Sequence, residues 1–156
     1  LSTLLATQLD TVNMVNVLSI AESRGITFSE TKKGGSENWR SVITVKIKTE
    51  VRERSVSGTL FTGKEPRIVD IEGVRIEAGL SPHMIFIRND DKPGLIGQVG
   101  GILGEANQNI ANFHLGRKPQ GDSAICLVSL DGALPEDVME KIKGIEQVKQ
   151  AKRLQF

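Results

Sequence analysis

Asn89-Asp90-Asp91-Lys92-Pro93-Gly94-Leu95-Ile96 is the stretch on which the reading of the fold turns. An apolar run, Met84 to Ile87, leads into it. An apolar stripe at helical spacing follows at once: Leu95, Ile96, Val99, Ile102, Leu103 and Ala106. A strand that turns straight into a helix aims the unpaired N–H groups of the helix start at the turn. Here they lie beside a carboxylate, Asp91, and an amide, Asn89. Such N–H groups suit a carboxylate, and an aspartate suits an ammonium. The combination points to a small zwitterion, a free amino acid that acts as a signal rather than as a substrate.

Outward towards the C-terminus the order is regular. A strand over 83–88 precedes the helix over 94–106. Strands over 109–117 and 122–130 come next, then a helix over 135–143 and a last strand over 146–154. Ala111, Phe113 and Leu115 alternate with Asn112 and His114, as in a half-buried strand. Leu134-Pro135-Glu136-Asp137 is a helix start, with proline near the first turn and acids facing the macrodipole. Gly144 ends that helix. The order βαββαβ is the ferredoxin-like unit, an antiparallel sheet with two helices on one face and edge strands free to pair with a second copy.

Outward towards the N-terminus, residues 1–24 read as helical, with an apolar face of Leu4, Leu5, Leu9, Val12, Val15, Leu18 and Ile20; a short extended piece over 11–17 is the alternative. Arg24-Gly25 stops the helix, with glycine in the C′ role. Ile26 to Thr31 looks extended, and Lys32 to Asn38 is a polar loop after which Trp39 anchors the next strand. Ile43, Val45 and Ile47 then alternate with Thr44, Lys46 and Lys48. A second strand covers 54–61, and 67–71 with 74–78 form a hairpin about Glu72-Gly73. Gly79 to Pro82 is the best linker in the chain. The expected division is therefore 1–79 and 80–156, and the expected class is α+β: a ferredoxin-like domain preceded by a smaller α+β domain with a mostly antiparallel sheet.

Composition excludes several functions. The 156 residues carry 20 basic and 19 acidic groups, a formal net charge of +1. No electrostatic footprint for nucleic acid is present, and five Phe, one Trp and no Tyr offer few stacking platforms. The apolar runs are too short to span a bilayer and no signal peptide opens the chain. A lone cysteine, Cys126, cannot form an internal disulfide and fits a reducing cytoplasm. His83 and His114 lie in different expected strands, so no acid–base dyad or metal-ligand spacing is visible. The first residue is Leu1 rather than Met, so a piece of a longer protein is expected.

Residues 83–156 resemble an ACT domain, the small-molecule regulatory module of amino-acid metabolism. The resemblance rests on Asn89 to Gly97, similar to its strand-to-helix ligand loop, and on Gln108-Asn109-Ile110-Ala111, similar to the start of its second strand. Arg54-Ser55-Val56-Ser57-Gly58-Thr59-Leu60-Phe61 and Pro66-Arg67-Ile68-Val69-Asp70-Ile71-Glu72-Gly73 resemble the intervening domain of long-form D-3-phosphoglycerate dehydrogenases. The resemblance implies a parent enzyme of serine biosynthesis, NAD-dependent and inhibited by L-serine. Its nucleotide-binding catalytic part would lie before Leu1. This chain is then expected neither to catalyse nor to hold a cofactor.

The same resemblance implies an effector site of Asn89, Asp91 and the backbone of Gly94, Leu95 and Ile96, with Asn109 supplied by a neighbouring subunit of a homodimer or tetramer. Ordinary roles stand beside these: Asp91 as a helix cap, water on the free N–H groups, Asn109 as a loop residue. Arg67 resembles a basic position proposed to hold phosphate, and Arg75 could add charge. This chain has Gly79 and Ser129 where relatives carry further basic residues, and solvated strand faces are the favoured reading of both arginines. Gly97, Gly100, Gly101 and Gly104 do not have the dinucleotide spacing, and they fall inside the helix rather than in the turn before it. Each costs the helix roughly 1 kcal/mol relative to Ala, so close packing or an interface is expected to offset them. Two alternatives remain: part of an L-serine dehydratase, whose cluster would need cysteines from elsewhere, and a structural oligomerisation module with a vacant loop.

Overall fold

The computed structural model describes residues 1–6, 9, 11–31, 41–118 and 123–156. Its backbone falls into two compact units, Leu1–Gly34 and Gly35–Phe156. The loop at 32–38 and the Trp39 anchor expected from sequence lie outside the described residues, as does the side chain of Leu4.

The first unit holds two helical segments, α1 (Ser2–Ala6) and α2 (Val17–Ser23), where one helix over 1–24 was expected. Asparagine chemistry accounts for the non-helical segment before α2. Asn13 Oδ1 accepts from the backbone N–H groups of Val15 and Asn16 at 2.9 and 3.1 Å, and Asn16 Nδ2 donates to Thr11 O at 2.9 Å. Side chains that bond the local backbone in this way compete with the helical pattern. The expected stop is present: Gly25 sits at φ 68° and the N–H of Ile26 reaches back to Ala21 O at 2.9 Å.

The second unit contains two antiparallel four-stranded sheets. The first is a meander, β1 (Ile43–Lys48), β2 (Glu53–Phe61), β3 (Glu65–Ile71) and β4 (Val74–Gly79), in spatial order 1-2-3-4. The β3–β4 turn puts Glu72 and Gly73 at positive φ and is fixed by Asp70 Oδ1, which accepts from Gly73 N at 2.9 Å. The second sheet contains β5 (His83–Asp90), β6 (Ile110–Arg117), β7 (Ser123–Leu130) and β8 (Val148–Gln155), ordered β6-β7-β5-β8. The helices α3 (Leu95–Glu105) and α4 (Glu136–Lys143) complete the βαββαβ unit read from the sequence. The class is α+β, as expected.

Alternation along the strands divides this unit's interior. Ile85, Ile87, Cys126 and Val128 face the helices and pack with Val99, Leu103, Val138 and Ile142. Met84, Ile125 and Leu127 face the other way and pack with Ile71, Val74, Ile76 and Ala78 of the β3–β4 hairpin. The ferredoxin-like sheet is thus covered on both faces. That explains why β7 is buried from Ala124 through Leu130. A strand covered on both sides carries apolar residues almost continuously rather than at every second position.

One expectation is not met within the chain. A Cβ placed on Gly97, Gly100, Gly101 or Gly104 would meet no other part of the protein within 4 Å. The α3 glycines therefore face open space, and no contact inside the described chain offsets their helix cost.

Candidate effector site

The site is built where β5 turns into α3. β5 ends at Asp90, whose N–H donates to Gln147 O at 2.8 Å, while Lys92 N donates to Asp90 O at 2.8 Å. Gly94 is the N-cap of α3 with φ 99°, a left-handed conformation that glycine adopts without steric cost. The first helical bond runs from Gln98 N to Gly94 O at 3.0 Å, so the N–H groups of Leu95, Ile96 and Gly97 have no i→i−4 partner. Gln147 Nε2 donates to Pro93 O at 3.1 Å and ties the turn to the start of β8.

A depression of about 320 Å³ opens over this turn. It is lined by Asn89, Asp91 and the segment Lys92 to Gly97, with Leu115 and Arg117 of β6 opposite. Five of the residues expected from sequence, Asn89, Asp91, Gly94, Leu95 and Ile96, therefore share one cavity. Asn89 is buried at 2% exposure. Its Nδ2 donates to Asp90 O at 2.7 Å, and its Oδ1 accepts from Cys126 Sγ at 3.7 Å. Asn89 thus holds the floor of the cavity, with one amide hydrogen left over. Burial, and then the negative charge of Asp91, push the Cys126 thiol up to about 12.

Arg117 was not picked out by the sequence reading. Its Nε donates to Asp91 Oδ2 at 2.7 Å, an ion pair of a largely exposed guanidinium with a carboxylate only 17% exposed. The register of the sheet brings the two together. Asn89 and Arg117 both lie opposite Ala124, one on each side of β7. The only signal in the sequence is a basic residue closing the strand that follows the ligand-loop helix.

Asn109 is not brought to this cavity within one chain. It lies eight residues before Arg117, roughly 26 Å away at strand rise, and its Nδ2 donates to Asp131 Oδ2 at 2.6 Å. Arg67 and Arg75 are not register partners in the hairpin. Arg67 is held by Glu77 at 3.0 Å and Glu65 at 3.4 Å, with its guanidinium 4.3 Å above the Phe61 ring. Arg75 stands four positions before Gly79, the register partner of Arg67. Among the described residues no group of His, Cys, Asp and Glu has the arrangement of a metal site.

Comparison with known proteins decides the family. Residues 1–72 match the D-3-phosphoglycerate dehydrogenase intervening domain, and residues 83–147 match the ACT domain. The chain carries the intervening and ACT domains of the D-3-phosphoglycerate dehydrogenase family. Proteins named D-3-phosphoglycerate dehydrogenase from Bacillus subtilis, Synechocystis and Archaeoglobus fulgidus are 33%, 34% and 35% identical to it, over 88%, 90% and 86% of its length. The chain spans only about a quarter of these relatives, 26%, 25% and 26% of their lengths. The cavity lies wholly within the ACT domain, between its first strand, first helix and second strand.

Proposed function

We propose that this chain is the regulatory, C-terminal part of a D-3-phosphoglycerate dehydrogenase and that its ACT domain senses L-serine. The cavity over the β5–α3 turn carries the reading, because it gathers a carboxylate and unpaired helix-start amides within about 320 Å³. The ammonium of serine pairs with Asp91 and its carboxylate takes the N–H groups of the α3 start. The intervening-domain match over residues 1–72 favours a dehydrogenase over a dehydratase as the parent. In that parent, a separate nucleotide-binding part holds NAD and performs the oxidation, while residues 1–79 and 80–156 regulate it. The enzyme works in the cytoplasm; no described helix is long and apolar enough to cross a membrane.

A homodimer, or a tetramer built from it, completes the site. β6 is an edge strand of its sheet, and the glycine face of α3 is open beside it. Pairing two copies along that edge in antiparallel fashion carries the partner's strand start, with its Asn109 equivalent, towards the cavity. Serine bound across such a boundary favours one quaternary arrangement and shifts the population towards it. Titration calorimetry with L-serine on the wild type and on Asp91→Ala tests the assignment. The wild type gives a saturable heat and the variant loses it; indistinguishable heats would remove the assignment.

A further inference from the structure

Among the described residues, Arg117 is the cationic side chain paired with Asp91, and its backbone is held in place. Gly116, the residue before it, lies under β4 so closely that a Cβ there would stand 2.6 Å from Arg75 O and 2.8 Å from Val74 Cγ1. The strand end that carries Arg117 is therefore pinned by packing. The Asp91 bond uses only Nε of the guanidinium. Four of its five N–H donors remain for another acceptor.

Asp91, Lys92 and Arg117 are the charged residues of the lining; Asp91 and Arg117 are paired with each other, and a zwitterion bound between them must exchange that pair. An amine alone would take Asp91 and leave the guanidinium without a counter-ion. A carboxylate alone would take Arg117 and face an unpaired Asp91 close by. A zwitterion replaces one internal ion pair with two external ones. The exchange is favourable because the internal pair is solvent-exposed on the arginine side, and exposed pairs contribute little. We infer that Arg117 is a specificity-determining residue of the effector site: it latches Asp91 in the free protein and binds the carboxylate of an α-amino acid in the complex. The inference rests on the reading of the cavity as an amino-acid site and adds the residue that makes both charges of the ligand necessary.

The test compares two probes, L-serine and L-serine amide, at a pH where both amines are protonated. Binding of each is measured by calorimetry on the intact oligomer of the wild type, Arg117→Ala and Arg117→Lys. The wild type prefers serine. Arg117→Ala weakens serine about tenfold or more and leaves the amide unchanged or tighter, because the latch on Asp91 is gone. Arg117→Lys restores part of the preference, since lysine keeps the charge but not the fork. Equal loss of both probes would assign Arg117 a merely structural role. Unchanged or tighter serine binding in Arg117→Ala would make it a competitor for Asp91 and nothing more. Either outcome overturns this inference and leaves the amino-acid site standing, whereas a wild type that binds no serine overturns both.

Discussion

Asp91 and Cys126 show how a few atoms set the chemistry of the cavity floor. Cys126 is fully buried, and its Sγ–H donates to the Asn89 oxygen. Burial first, and the neighbouring Asp91 charge second, raise its pKa from 9.0 to about 12. Well below both values its thiolate is far rarer than that of an ordinary cysteine. The native protein at pH 8 should therefore react with a disulfide reagent far more slowly than the urea-unfolded chain. Equal rates, followed by absorbance, would show that the thiol is open to solvent. The residues that line the cavity around the β5–α3 turn were legible because they are contiguous: a strand, a polar turn and a helix start occur within fourteen positions, 83–96. Arg117 was not, because it stands 26 residues from Asp91 and only the register through Ala124 brings the two together.

At the scale of elements, periodicity identified most strands and both helices of the ACT domain. The exceptions have local or cross-strand causes. α2 begins only after Asn13 and Asn16 have bonded the backbone around them. The glycines of α3 were expected to serve close packing or an interface, and within the single chain they face open space. The close approach lies elsewhere, at Gly116 on β6, where β4 crosses. A methyl group there would meet Arg75 O, Val74 Cγ1 and Ile76 Cβ at 2.6 to 3.0 Å. All three atoms belong to β4, and the nearest is a backbone oxygen that cannot turn aside. Gly116→Ala should destabilise the second unit by about 1–3 kcal/mol, the usual cost of overpacking. Urea unfolding reads this as a lower midpoint at unchanged slope. Gly97→Ala, in open space on the helix, should leave the unassociated chain no less stable, since alanine is the better helix former. If both substitutions act alike, the β4–β6 contact is not tight.

Across the second unit as a whole, the β3–β4 hairpin is tied to the ACT sheet by charge as well as by apolar packing. Glu72, in the hairpin turn, is paired with Arg54 of β2 and lies 2.6 Å from Arg88 Nη2 of β5. The Arg88 contact is one of charge rather than an aligned hydrogen bond, since Arg88 Nε and Nη2 find no aligned acceptor. Burial alone would raise the Glu72 carboxyl. The two guanidiniums outweigh it and hold the group below its ordinary 4.5. A carboxyl lowered in the folded state contributes stability that is fully present above the unfolded value and is lost as pH falls through the folded value. The melting temperature should therefore fall as pH drops below about 4.5, and Glu72→Gln should flatten that part of the curve while lowering stability near pH 7. Superimposable curves for wild type and variant would mean that Glu72 titrates as it does in the unfolded chain. Arg88 directly precedes Asn89, so this network also touches the strand that supports the cavity over the β5–α3 turn.

The amino-acid sequence by itself determined the element order of the second unit, the ferredoxin-like unit within it and the polar turn from β5 into α3. Each is written in a local pattern: a period of two, a period near three and a half, or a turn with its flanking strand and helix. The tertiary structure alone decided that the ACT sheet is covered on its second face, that Gly116 is pinned beneath β4, and that Arg117 closes on Asp91. Those contacts depend on strand register and on how one sheet lies over another. Neither is encoded in a run of neighbouring residues, because register and stacking are settled by the fit of side chains that are far apart along the chain.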